Sequence, residues 1–438
     1  MKTIRKSLFL ALSLAALSGI SGGAYLSAQT APGEYLTVKA AVMGPGDELY
    51  FWWGHIGLII EDSLSGSSRF YDWGVFSFNS DHFFTNFALG RLIYCCAASS
   101  SKANFDYYTA HNRDITVYTL NLSPQKKAEV RRLAENNILP ENRDYLYHHF
   151  KDNCATRIRD IIDEATGGQF KARYGEAPGR YTYRQHVRRH TWFSPFFDWF
   201  LNFLMGQNID EPTTVWQELF LPAEIGSRIA DFTYTDAAGA ERPLVTSVEI
   251  LNKAINRPAI LEVPRKQWPR SLTLGTAIAA LMAFFMWLRK KKSTAGRVLL
   301  GVSQSILGLF FGFAGFLSFF LMTVTNHDYC FNNYNILFVN PLLFAAIPWG
   351  IQAARGKNAD KRFSPERLLR ILWMYVCVAA VLSLGIRLLP WFYQQNQVTV
   401  ALVLPIAIVL GALPFAATTK KIKKDLRSDN SLGGPRRS

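Results

Sequence analysis

Beyond Pro269 the chain changes character: five apolar stretches, about Leu272–Leu288, Val298–Thr323, Ile336–Ala354, Ile371–Leu389 and Val398–Thr419, succeed one another with short polar breaks. A helix needs about 20 apolar residues to span the ~30 Å hydrocarbon core of a bilayer, so the pattern predicts five crossings. The segment from Gln29 to Pro269 has no such run; it mixes polar, aromatic and turn residues and predicts a folded domain of its own. Ahead of it stand Lys2, Arg5 and Lys6, an apolar run from Leu8 to Leu26, and small Ser27 and Ala28. That is the pattern of a secretory signal or uncleaved anchor, and it places the domain after it outside the cytoplasm. Four units result: a leader over 1–28, an exported domain over 29–269, a membrane domain over 270–419 and a basic tail over 420–438.

A formal charge of +15 raises nucleic acid as a partner, but its placement argues against one. The leader carries +3, Arg289–Arg297 +5, Arg355–Arg370 +4 and the tail from Lys420 +5, more than the whole excess, so residues 29–271 are close to neutral. With the domain outside, five spans put the tail inside, and both basic loops fall on the cytoplasmic side, as the positive-inside rule asks. Two short loops, Asn326–Asn335 and Trp391–Gln397, then lie on the domain's side and can meet it. Trp391, Phe392 and Tyr393 read as an interfacial aromatic belt. The five cysteines, Cys95, Cys96, Cys154, Cys330 and Cys377, have neither zinc-site nor disulfide-framework spacing, and Cys95 and Cys96 read as strand residues. No metal or cofactor motif is present in the sequence.

Glu48–Ile60 (ELYFWWGHIGLII) reads as a strand opened by Pro45 and Gly46, with His55 mid-strand. After a turn at Ser65–Ser68, Arg69–Phe78 reads as its antiparallel partner, which puts Asp72 beside His55. A carboxylate there holds the imidazole by one nitrogen. Further on, Lys151–Gly168 (KDNCATRIRDIIDEATGG) offers Asp152 and Asn153 as caps, Ile158, Ile161, Ile162 and Ala165 at helical spacing, and a Gly167–Gly168 stop. Cys154 therefore falls in the first helical turn, where the positive end of the helix favours a thiolate, the more so with an imidazolium nearby. Taken singly, a cysteine is a small core residue and a histidine a satisfied one; together in this order they form a nucleophile and its base.

These residues resemble a known family. Gly54-His55-Ile56-Gly57-Leu58, Tyr71-Asp72-Trp73-Gly74-Val75-Phe76, Asn112-Arg113, Pro140-Glu141-Asn142-Arg143 and Asp152-Asn153-Cys154-Ala155-Thr156-Arg157 are similar to the exported domain of the Lnb-type lipoprotein N-acyltransferases. That domain is itself similar to the circularly permuted papain-like group of NlpC/P60 and lecithin:retinol acyltransferase enzymes. The resemblance covers roughly residues 40 to 260, and His327 with Asn332, Asn333, Asn335 and Asn340-Pro341 extends it into the membrane part. It implies an α+β permuted papain-like domain followed by an all-α bundle of five transmembrane helices in the bacterial inner membrane, with the catalytic domain periplasmic and the tail cytoplasmic. It also implies a cysteine acyltransferase without a cofactor. Cys154 is then the nucleophile, His55 the base and Asp72 the orienting group, with Asn153 and Arg157 supporting or donating to an oxyanion. The acyl donor is a phospholipid and the acceptor the amine of a diacylglyceryl-cysteine lipoprotein, both held in the lipid bilayer.

His327, Asn332, Asn333 and Asn335 are candidates for substrate contact at the membrane surface, or else cap two transmembrane helices. Trp192–Met205 (WFSPFFDWFLNFLM) reads either as core or as an amphipathic segment on the bilayer. Two other functions stay open: a membrane-anchored cysteine peptidase or amidase of NlpC/P60 type acting on cell-wall peptide, and a non-enzymatic membrane sensor or scaffold.

Overall fold

The computed structural model describes residues 31–356 and 363–414. The leader, the basic tail, and residues 415–419 of the fifth apolar stretch lie outside the described residues. The N-terminal domain is built on an antiparallel sheet. Its strands are β1 (Leu36–Met43), β2 (His55–Asp62), β3 (Ser67–Val75), β4 (Ile93–Ser100), β5 (Ile115–Leu120), β6 (Asp144–Leu146) and β9 (Val245–Asn252), in the order β6-β4-β3-β2-β1-β5-β9. A separate hairpin joins β7 (Thr233–Thr235) and β8 (Glu241–Pro243).

The run HIGLIIED of β2 is buried almost without interruption, as suits a central strand covered on both faces. Ile56, Leu58 and Ile60 point to a core shared with Val38, Ala40, Tyr71 and Trp73, while Ile59 joins Ala41, Met43 and Phe70 on the other face. Short α1 (Phe83–Ala88) leads into β4, and α2 (Ser101–Ala110) covers the second face with Tyr108. The first face is covered by α3 (Pro124–Asn137) and α4 (Cys154–Ala165), joined by α9 (Pro222–Ala230) after α5 (Gln169–Tyr174), α6 (Tyr183–Thr191), α7 (Pro195–Leu204) and α8 (Val215–Glu218). Helix α4 buries Ile158, Ile162 and Ala165 against β2, the stripe its spacing predicts.

Two strand boundaries differ from the sequence reading. Residues 48–54 do not extend: Leu49–Phe51 makes a single 3-10 turn, and Gly54 sits at φ +80°, a value that favours glycine. The strand therefore begins at His55, which stands at the end of the sheet rather than mid-strand. Its partner ends at Val75, with a bulge between Asp72 and Val75. Cys95 and Cys96 do lie in β4.

Among the described residues four helical segments are long and apolar enough to cross a bilayer: α10 (Trp268–Lys290), α11 (Thr294–Thr323), Tyr334–Arg355 and α13 (Pro365–Ile386). The third consists of 3-10 turns at Tyr334–Leu337 and Pro341–Ala345 followed by α12 (Ala346–Arg355). The fifth stretch forms α14 (Gln397–Ala407), continued by a π turn over Ile408–Ala412 and packed along α10. Glycines of α11 let the third segment approach closely. A Cβ on Gly301 would fall 2.5 Å from the Gly350 carbonyl, and one on Gly315 2.3 Å from the Asn340 Cα.

Helix α7 packs inward on one side and faces α11 on another. Asp198, Asn202 and Phe203 are buried, whereas Phe196, Trp199 and Phe200 line a wholly apolar cleft of about 500 Å³ with Ile306, Phe310 and other residues of α11.

Gly315→Leu should force α11 away from Asn340 and destabilise the detergent-solubilised protein by about 1–3 kcal/mol, the usual range for overpacking. Gly385→Ala, where nothing lies within 4 Å, should not lower stability. Thermal unfolding followed by tryptophan fluorescence compares the two.

Candidate active site

Continuing the β2–β3 register from Leu58↔Tyr71 places Gly74 opposite His55 and Asp72 one diagonal step away on the same face. The absent side chain at Gly74 makes room for the imidazole, since a Cβ there would lie 2.7 Å from His55 Cε1. Asp72 Oδ1 is 3.0 Å from His55 Nε2 and accepts the Gly74 N–H at 2.6 Å. Nε2 has no aligned hydrogen-bond acceptor, so charge attraction more than a directed bond joins the pair. Burial pulls the His55 pKa down, but the charges of Asp72, Tyr108 and Cys154 outweigh it and hold the pKa well above the ordinary value. Burial likewise raises that of Asp72, and His55, the Gly74 amide and Arg113 together bring it below the usual carboxylate range.

Arg113, unassigned in the sequence reading, is fully buried behind this pair. Its Nε donates to the Gly44 carbonyl at 2.8 Å, its guanidinium lies over Phe51 and Tyr108, and both terminal nitrogens lack partners.

Cys154 is the first residue of α4, buried at 8% exposure. Asn153 fixes that start. Its Oδ1 accepts the Ala155 and Thr156 amides, and its Nδ2 donates to the carbonyls of His149 and Phe220. Both amide hydrogens are committed, so its side chain has none left for an oxyanion. With the Arg157 amide on the Asn153 carbonyl, the Cys154 N–H is the first-turn donor left for that task. Arg157 does not face the thiol as a free cation: it grips Asp152 through two bonds of 2.6 and 2.8 Å and stacks over Tyr145. Cys154 and His55 interact through charge, with no hydrogen bond between them in this state, and the imidazole's Asp72 contact leaves Nδ1 for the thiol's proton.

Tyr145 packs against the core cluster that holds Cys154, and Tyr94 pairs with it across β4 and β6. The hydroxyls of Tyr94, Tyr145 and Tyr147 each have the pKa raised by burial first and by the Cys154 charge second. Tyr94 and Tyr147 stack at 4.1 Å, and the Tyr145 hydroxyl donates to the Trp73 carbonyl. The signal for this aromatic cluster was the run Tyr145-Leu146-Tyr147-His148-His149-Phe150 immediately before the cysteine turn.

The loop after α11 docks against that turn. Asp328 receives the His148 Nε2 proton at 2.7 Å and Lys151 Nζ at 2.5 Å; His148 is fixed in this tautomer because its Nδ1 accepts the Phe150 and Lys151 amides. The four residues proposed for substrate contact are held by protein partners. His327 donates from Nε2 to the Phe87 carbonyl and accepts the Tyr329 hydroxyl at Nδ1. Asn333 and Asn335 are wholly buried and donate to the Phe203 carbonyl, while Asn332 donates to Asn208. Gln394 and Gln395 of the second loop join them through the Met205 carbonyl and Asp210. These side chains tie the two regions together.

Residues 26–189 match the family model described as the Lnb N-terminal periplasmic domain, a span that includes His55, Asp72, Asn153 and Cys154. No curated protein and no solved structure gives a match. With the four apolar helices, the match makes the chain a membrane protein with a periplasmic N-terminal domain.

The elevated His55 pKa and depressed Asp72 pKa define the window in which the pair is charged and stabilising: it is lost on the acid side as Asp72 protonates and on the alkaline side as His55 deprotonates. In Asp72→Asn burial dominates, so the imidazole should lose its proton at lower pH, read by nitrogen NMR of labelled histidine. An unchanged titration would mean that Asp72 does not set it. Gly74→Ala should shift the same signals by displacing the ring.

Proposed function

From an N-terminal domain of the Lnb periplasmic type, we propose that the protein is a lipoprotein N-acyltransferase working by ping-pong transfer through a thioester on Cys154. The observation that carries the reading is the thiol at a capped helix start, within the field of a buried His55–Asp72 pair, in a domain bonded to membrane helices. The Cys154 thiolate attacks the ester carbonyl of a phospholipid, and the Cys154 N–H receives the oxyanion. The His55 imidazolium gives its Nδ1 proton to the departing lysophospholipid oxygen, leaving the acyl group as a thioester. The α-amine of a diacylglyceryl-cysteine lipoprotein then attacks the thioester, His55 takes its proton, the amide forms and the thiolate leaves. Asp72 holds the imidazole through Nε2 in both halves.

The order of a histidine strand before a cysteine helix, with the helix packed on an antiparallel sheet, supports a permuted papain-like fold. We assign α14 as a fifth crossing. Its packing along α10 supports this reading, and with the basic loops on the inner side we assign the tail to the cytoplasm and the bundle to the inner membrane. A peptidase would use the same dyad, but water-soluble peptide gives no reason for bonding the thiol's turn to a bilayer bundle.

Purified full-length protein incubated with phospholipid should carry a hydroxylamine-sensitive fatty acyl adduct on Cys154, seen by intact mass. Its absence under turnover with a labelled donor sinks the proposal. Cys154→Ala should lose adduct and transfer completely, and His55→Ala should slow adduct formation by about 10²-fold or more, the usual span of general acid–base catalysis.

A further inference from the structure

We propose that Phe76–Leu89 forms an aromatic ramp that takes one acyl chain of a bilayer phospholipid and leads it to Cys154, an assignment that rests on the acyl-transfer reading above. The segment leaves large apolar side chains in the open: Phe84 is 74% exposed, Phe78 52% and Phe87 50%, and α1 (FFTNFA) contains no charged residue. Asp81 is the one charged residue of the segment, and an exposed cluster of large rings of this kind marks an interaction surface.

The rings are continuous from the tip to Tyr94. Phe84 contacts Phe83 at 5.4 Å between centroids, Phe83 contacts Phe78 at 5.0 Å, Phe78 contacts Phe76 at 5.1 Å, and Phe76 contacts Tyr94 at 4.9 Å. Tyr94 stacks on Tyr147, and the hydroxyls of both lie within the field of Cys154.

The outer end is fixed at bilayer height. The Asn326 amide donates to the Leu89 carbonyl at 2.8 Å, and His327 Nε2 donates to the Phe87 carbonyl at 3.0 Å. Gly90, at φ +72°, lets the chains touch; a Cβ there would lie 2.9 Å from the Asn326 backbone. Asn326 comes shortly after the end of α11 at Thr323, so the helix that crosses the bilayer also sets the level of α1. This gives His327 its purpose: it holds the ramp to the membrane loop. The occupant is the donor lipid, because the chain being transferred has to reach the sulfur, whereas the acceptor need bring only its amine.

The test uses the full chain in nanodiscs with a phospholipid bearing a diazirine on its acyl chain. Irradiation of Cys154→Ala, which binds without reacting, should label the peptide spanning residues 76–94 as well as the membrane helices. Label confined to the membrane helices overturns the ramp, and so does label at 76–94 from a diacylglyceryl lipopeptide but not from phospholipid. In the wild-type cysteine background, Phe78→Ser with Phe84→Ser should lower the ratio of thioester formation from a palmitoyl phospholipid to that from a water-soluble butyryl ester by about tenfold, the scale of losing one buried apolar contact. An unchanged ratio overturns it. A wild-type enzyme that forms no thioester while labelling at 76–94 persists would sink the catalytic reading and leave the ramp standing.

Discussion

Much of the site hangs on one side chain. The Asn153 amide caps α4 through its oxygen and ties two other segments, at His149 and Phe220, through its nitrogen. A cap alone contributes about 1 kcal/mol. Here the same group also fixes where the turn before the cysteine runs, and that turn carries Tyr147 and the histidine that meets the membrane loop. Burying an asparagine this deeply is tolerable only because every polar atom on it is matched.

The contact between the two regions obeys the same logic. It joins buried amides, backbone groups and the shared carboxylate of Asp328 to apolar packing of Phe203 and Trp199 against the membrane helices. His148 and Lys151 together hold the Asp328 pKa far below the usual carboxylate range. Arg184 braces the receiving loop from behind, donating to Asp210, to Asn202 and to the carbonyls of Met205 and Gly206. Directional bonds of this kind fix orientation as well as distance, which a greasy interface between helices would not.

The place of Cys154 was legible because helix starts have strong local rules: an Asn cap, an apolar stripe and a Gly-Gly stop read the same in sequence and in space. Asp72 beside His55 was readable from hairpin pairing. The start of β2 was misjudged because Leu49-Tyr50-Phe51-Trp52 is strand-like in composition, yet Gly54 breaks the chain just before His55. Arg113 and Tyr94 were not visible as site residues, since only the tertiary fold, as in the strand pairing Tyr94↔Tyr145, brings them to the site. The polar loop after α11 was located with two readings, substrate contact or helix capping; that its side chains bond to Phe87, Phe203 and Asn208 depends on the tertiary fold and was not readable in the sequence.

The third membrane segment begins as 3-10 turns, with Asn340 donating to the Ile336 carbonyl and to the Tyr375 hydroxyl, which itself donates to the Leu337 carbonyl. That irregular stretch sits directly beneath the loop that grips the cysteine turn. A regular helix can slide or rotate by small increments along its neighbours; a run of distinct turns, each with its own side-chain partner, has only one register. The cysteine turn is therefore tied to a single register of the helical bundle, like a tool on a fixed stand.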